Sequence, residues 1–272
     1  MSPEPLFSVR DAAYRFPSGA VIFENFSWQI SRGEAWSVLG PSGCGKTTLL
    51  YLLAGLLEPD RGEVVVEGRV ISRPRPRTGL IIQEYGLLPW ATVRENVRLG
   101  LDIRGFYGPD GTHAPRQMIA TGEVDPWLER LEILDQADKF PAQLSGGQRQ
   151  RTAVARTLVL RPDTLLMDEP FSSLDAPTRE ALQVLTLELQ RERELTTVLV
   201  THNIEEAAVM GGKILLLDTP PNREAVVVDN PGGARPGFRG TNAYYRMCDR
   251  LREMLGGGAG AAAEKTAGEE AE

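Results

Sequence analysis

Gly40-Pro41-Ser42-Gly43-Cys44-Gly45-Lys46-Thr47 fills the pattern G-x-x-x-x-G-K-[ST], and its flanks matter as much as the motif. The apolar run at 35–39 reads as a buried strand, and the run at 47–57 as a buried helix. A glycine-rich loop between strand and helix lets backbone N–H groups curl around phosphate oxygens, and the helix N-terminus adds a favourable dipole. In this frame Lys46 reaches the β- and γ-phosphates of a nucleotide, the Thr47 hydroxyl ligates Mg²⁺, and Thr48 closes the candidate phosphate site. A strand–loop–helix unit of this kind points to an α/β fold.

The rest of the chain agrees with that class. Segment 21–30 (VIFENFSWQI) is rich in β-branched and aromatic residues, 63–70 alternates as a strand should, and 80–82 is a further short strand. The pattern turns helical over 84–161, interrupted at 102–122 by a glycine- and proline-containing stretch that reads as an exposed loop. Segment 73–77 (RPRPR) reads as an exposed connection. Strands at 165–167 and 198–200 flank an amphipathic helix at 177–193, and 242–255 forms a last helix before a tail, 256–272, without structure. Strands alternating with helices imply a mainly parallel sheet. The expectation is an α/β nucleotide-binding core with an N-terminal antiparallel β subdomain and an inserted α-helical subdomain, all within residues 1–255.

Composition narrows the class by exclusion. The longest apolar run has nine residues (LLYLLAGLL), where a membrane span needs about 20. The N-terminus lacks the charge and apolar pattern of a secretory signal. Two cysteines make neither a disulfide framework nor a zinc finger, so the chain reads as cytoplasmic. The net charge of −7 argues against broad nucleic-acid binding.

Two further segments carry chemistry. The strand DTLLMDEP ends in Asp168 and Glu169, which places one carboxylate where it can hold a Mg²⁺ shell and the next where it can polarise an attacking water. Leu144-Ser145-Gly146-Gly147-Gln148 opens a helix that runs to Pro162, a second helix N-terminus able to meet an anion. One chain thus holds two phosphate-recognising helix starts.

With these motifs in this order, residues 6–218 resemble the ATP-binding-cassette (ABC) ATPases, whose signature is LSGGQ. Gln83 after a strand, Ser172-Ser173-Leu174-Asp175 after the acids, and His202 after 198–201 extend the resemblance. It implies a P-loop ATPase that binds ATP with Mg²⁺ and forms a homodimer in the ATP-bound state. Each ATP would lie between the Lys46 loop of one subunit and the Ser145 helix of the other. The resemblance further implies Glu169 as general base, His202 on the γ-phosphate, and Gln83 and Asp168 beside Thr47 as Mg²⁺ residues. An early aromatic stacks on adenine in this family, and Phe16 fits the spacing better than Tyr14. Two positions depart from the pattern: Asn203 stands where aspartate is common, and Gly211-Gly212-Lys213 replaces an acidic–basic pair.

The string Glu84-Tyr85-Gly86-Leu87-Leu88-Pro89-Trp90 before Thr92-Val93-Arg94-Glu95-Asn96 is similar to the nitrate, sulfonate and taurine importer group. It implies an energy-coupling ATPase at the cytoplasmic face of the inner membrane. Its partners would be membrane-spanning permease subunits and, indirectly, a solute-binding protein, with no nucleic acid. Leu87, Leu88 and Trp90 would form part of a groove for a permease helix, or else close the subdomain's own core. The competing readings are an exporter subunit and a soluble ABC ATPase working on nucleic acid or ribosomes. Cys44, near a helix N-terminus, is either a thiol activated by that dipole or a buried, inert one.

Overall fold

The computed structural model describes residues 5–107 and 124–269, with the backbone alone for 105–107 and 257–269. The chain divides into two units, one holding residues up to Ser72 and again from Val198 onward, the other Arg73–Thr197.

The first unit begins with β1 (Phe7–Arg15) and β2 (Val21–Ile30), an antiparallel pair in which Phe7 faces Ile30 and Tyr14 faces Phe23. Alternation in β2 sends Phe26, Trp28 and Ile30 into the core, as its period of two requires. β4 (Arg61–Val66) pairs with β1 on the other side, and β5 (Arg69–Val70) pairs with β4, giving the order β2-β1-β4-β5. The single strand expected at 63–70 is therefore two. Glu67 and Gly68 both take positive φ (49° and 74°), which closes a two-residue hairpin.

β3 (Ala35–Leu39) is wholly buried and leads into α1 (Lys46–Ala54). That helix is apolar on nearly every side and is stopped by Gly55 in the left-handed region, so it ends before the expected residue 57. β9 (Lys213–Leu216) runs parallel to β3, and β10 (Val226–Asp229) antiparallel to β9. On the other flank of β3 lies β8 (Thr196–Thr201), which enters this unit at Val198. α6 (Ile204–Met210) follows β8. α7 (Asn242–Glu269) closes the unit and continues past residue 255 through the segment expected to lack structure; the alanines at 261–263 favour helix there.

In the second unit, β6 (Thr78–Ile81) pairs in parallel with β7 (Thr164–Asp168). The helices are α2 (Val93–Tyr107), α3 (Val124–Arg130), α4 (Gly146–Leu158) and α5 (Ala176–Glu192), with short 3₁₀ turns at Leu134–Gln136 and Pro141–Gln143. α2 takes in the start of the loop expected at 102–122; residues 108–123 lie outside the described residues. The expected exposed arginine segment at 73–77 is anchored. Arg75, 13% exposed at its side chain, clamps Asp163 through two hydrogen bonds of 2.6 Å. No described helix is long and apolar enough to cross a membrane.

Candidate active site

The phosphate loop lies in the first unit, between β3 and α1, and its glycines are sterically required. A Cβ on Gly40 would sit 2.4 Å from the Leu217 carbonyl oxygen. Gly45, at φ 106°, would set one 2.4 Å from Ile22, while Gly43, at φ 79°, faces open space. The loop is thus pressed against β2 and the end of β9, with its open side left to a ligand. Lys46 is buried, and its ammonium donates to the carbonyl oxygens of Gly40 at 2.9 Å and Pro41 at 2.8 Å. A buried cation inside a ring of glycines is the donor chemistry that a polyphosphate requires.

Cys44 is buried in this loop, and burial raises its thiol above the ordinary value despite the nearby Lys46 ammonium. The activated-thiol reading is therefore set aside for the inert one, because desolvation outweighs the local positive charge.

Asn222 was not legible as part of this region. It is buried, donates from Nδ2 to the Cys44 carbonyl oxygen at 2.8 Å and accepts from the Asp218 N–H at 3.0 Å. A segment after the last recognisable motif therefore braces the phosphate loop, and nothing in the sequence signalled it.

His202 is exposed at the turn between β8 and α6. That turn is built by Asn203, whose side chain caps α6 by accepting from the N–H groups of Glu205 (2.8 Å) and Glu206 (3.1 Å). Asparagine and aspartate cap helices about equally well, so this departure from the family pattern leaves the turn intact. At the second departure, Gly211 leaves no room for a Cβ beside the Lys213 carbonyl and Ser37, and Lys213 pairs with Glu34 at 2.6 Å. A cavity of about 450 Å³ is bordered by Gly40, Pro41 and His202 together with Leu217, Ile204 and Met254. Phe16, 38% exposed just beyond β1, meets the half-buried Tyr14 edge-on at 5.3 Å between ring centroids, so its own ring is the more open of the two.

The second unit holds the remaining candidates. Asp168 is buried at the end of β7, and Glu169 follows in the left-handed region at φ 44°. Ser145 caps α4: its Oγ accepts the Gln148 N–H at 3.2 Å, while Gln148 Oε1 accepts the Ser145 N–H at 2.9 Å. This reciprocal box fixes both polar residues of the signature string. Gly147 is required by packing, since a Cβ there would lie 2.5 Å from Thr178. Gln83 is exposed two residues beyond the end of β6.

Trp90 is 73% exposed, which settles its alternatives against the core. Its loop is held from beneath. Buried Asn96 accepts from the Leu88 N–H at 2.7 Å and donates to the carbonyls of Leu88, Ala91 and Thr92 at 2.9–3.1 Å. With its polar main chain satisfied inward, the loop presents its indole outward.

Strand, phosphate loop and helix, with an acidic strand end and a capped signature helix on the same chain, define a P-loop ATPase of the cassette type. The chain belongs to the ABC transporter family, whose model matches residues 23–172. Its curated relatives include the taurine import ATP-binding protein of Pseudomonas aeruginosa, 42% identical over 74% of this chain and 73% of that one. Another is the aliphatic sulfonates import ATP-binding protein of Bacillus cereus, 36% identical over 77% of this chain and 78% of that one. Among solved structures, an ATP-binding cassette captured as a dimer in a post-hydrolysis state with ADP and Pi superposes with a TM-score of 0.71. It is 29% identical, over 82% of this chain and 98% of that one. The chain is thus an ATP-binding, ATP-hydrolysing cassette with the α/β fold expected.

Proposed function

We propose that this protein is the energy-coupling ATPase of an importer for a small anionic solute such as nitrate, a sulfonate or taurine. It would lie peripherally on the cytoplasmic face of the membrane, bound to permease subunits and through them to a solute-binding protein. The observation that carries this reading is the import role in the names of relatives 36–42% identical over about three-quarters of the chain. The exposed Trp90 on its braced loop supports a surface for the permease.

In this reading Lys46 and the loop 40–48, through the N–H groups of every residue but Pro41, hold the ATP phosphates, and the adenine rests on Phe16. Thr47, Gln83 and Asp168 would hold Mg²⁺, which neutralises phosphate charge when bound. Glu169 draws a proton from the attacking water as it reaches the γ-phosphorus, and His202 contacts the γ-phosphate. Ser145, Gly146, Gly147 and Gln148 supply the second helix start to an ATP held by the Lys46 loop of the partner subunit, which makes a homodimer of the ATP-bound form.

Glu169→Gln separates binding from chemistry. It keeps the side chain's size and removes the base, so MgATP binding should persist while hydrolysis falls on the order of 10²-fold or more and an ATP-bound dimer accumulates. Hydrolysis within a few-fold of wild type would refute the general-base role. For the import reading, reconstitution with the permease should give ATP turnover stimulated by a solute-binding protein loaded with a small sulfonate or nitrate. Stimulation that needs no binding protein would favour export.

A further inference from the structure

Tyr85 stands two residues beyond Gln83 and is buried, whereas Gln83, Glu84, Gly86, Pro89 and Trp90 around it are exposed. Its backbone is at φ 63° and that of Gly86 at φ 60°, a costly conformation for a bulky side chain that persists only where surroundings enforce it. Those surroundings come from α4. Arg156 donates to the Tyr85 carbonyl at 2.7 Å and to the Gly86 carbonyl at 2.5 Å, and the Arg149 guanidinium lies 6.0 Å from the ring centroid. So held, the phenol reaches the oxygen of Ser173, 88 residues further along, and shares a hydrogen bond with it.

Ser173 belongs to the turn that follows the catalytic strand. Within it, Ser172 donates to the Glu169 carbonyl from both its N–H (3.2 Å) and its hydroxyl (3.0 Å), and the Leu174 N–H donates to Phe171 at 3.3 Å. Glu169 itself is in the left-handed region, and its carbonyl accepts both Ser172 bonds, so the turn is built on this residue's own main chain. The turn's own bonds are local; the Tyr85 hydroxyl ties it to a different part of the unit.

We propose that Tyr85 is a positioning residue for hydrolysis, its hydroxyl seating through Ser173 the turn that aims Glu169. The inference rests on the reading of Glu169 as general base. Because Trp90 stands on the same loop, the exposed face and the hydrolytic turn share one anchor, and a shift of the loop moves both.

Tyr85→Phe removes the hydroxyl while keeping the ring and its backbone contacts, and Ser173→Ala removes the bond from the other end. Each should lower kcat about tenfold, the scale of one hydrogen bond acting on the transition state. KM for ATP should stay within about twofold, and the double variant should be no worse than either single one, since both delete the same interaction. Ser173→Thr, which restores a hydroxyl, should recover most of the loss. Wild-type kcat in both single variants, additive losses, or losses in which KM and thermal midpoint move with kcat would overturn the proposal. If Tyr85→Phe fails to fold, Ser173→Ala and Ser173→Thr decide it alone. Glu169→Gln run alongside distinguishes the two readings. An active Glu169→Gln removes the mechanism, whereas an inactive one with an unaffected Tyr85→Phe removes only this inference.

Discussion

The Lys46 ammonium sits 2.8 Å from the carbonyl oxygen of Pro41, inside the loop that it serves. The cation is desolvated and oriented before any phosphate arrives, so binding exchanges neutral carbonyl acceptors for charged phosphate oxygens, which make stronger bonds. Lys46→Ala should therefore weaken ATP binding on the order of 10²-fold, with turnover at subsaturating ATP falling in parallel. Titration with a fluorescent ATP analogue beside an ATPase assay checks this; full affinity with lost turnover would move Lys46 from binding to chemistry.

Trp90 should behave as a surface residue in the isolated protein. Since its indole is mostly in solvent, Trp90→Ala should change folding stability by no more than about 0.5 kcal/mol. Association with the permease should weaken by at least about 2 kcal/mol, as expected for a central aromatic anchor. Thermal melts and detergent co-purification measure the two effects. A large drop in melting temperature would show the side chain to be structural.

Cys44 should resist alkylation. Burial holds its thiol above the ordinary value, so little thiolate exists near neutral pH, and the rate should be low at pH 7 and still be rising with pH at pH 9. Mass spectrometry after timed iodoacetamide exposure at pH 7 and pH 9 gives the answer. Rapid, pH-insensitive modification at pH 7 would contradict the assignment.

The Arg75–Asp163 clamp gives a pH dependence of definite sign. Burial alone would raise the Asp163 carboxyl, but Arg75, Thr164 and Arg77 override it and hold it below the ordinary value. A carboxyl lowered in the folded state contributes fully above its unfolded pKa of about 3.9 and loses that contribution as pH falls through the folded value. Asp163→Asn should cost about 1–3 kcal/mol at pH 7, toward the lower end because solvent screens part of the pair. It should also flatten the stability loss below pH 4. Urea melts between pH 3 and pH 7 would show it, and parallel curves for variant and wild type would refute it.

The phosphate loop was legible because its chemistry is local: Gly45, Lys46 and Thr47 are consecutive, and their strand and helix adjoin them. The acids at 168–169 and the capped helix at Ser145 were legible for the same reason. What escaped depends on partners distant in sequence. Arg75 reads as one more arginine in a proline-rich connection until Asp163, 88 residues later, is placed against it. Trp90 could not be assigned to core or surface from its apolar neighbours, because the decision lies with Asn96 pulling the loop's main chain inward. Tyr85 carried no signal apart from its motif, and its contacts come from two separate segments, α4 and the turn at Ser173. The Glu67-Gly68 turn, by contrast, did have a local signal, a glycine within an alternating run, that the reading of one continuous strand passed over.

Asn222 reaches 178 residues back to the Cys44 carbonyl. Every recognisable motif lies before residue 219, so a chain cut there would pass a motif inventory as a complete ATPase. It would nevertheless leave the amide of the phosphate loop's own support behind, and the carbonyl of Cys44 with an unmade bond. The smallest working unit is therefore longer than the smallest recognisable one, and a trimmed version for assay or fusion should keep the strand-side segment through Asn222.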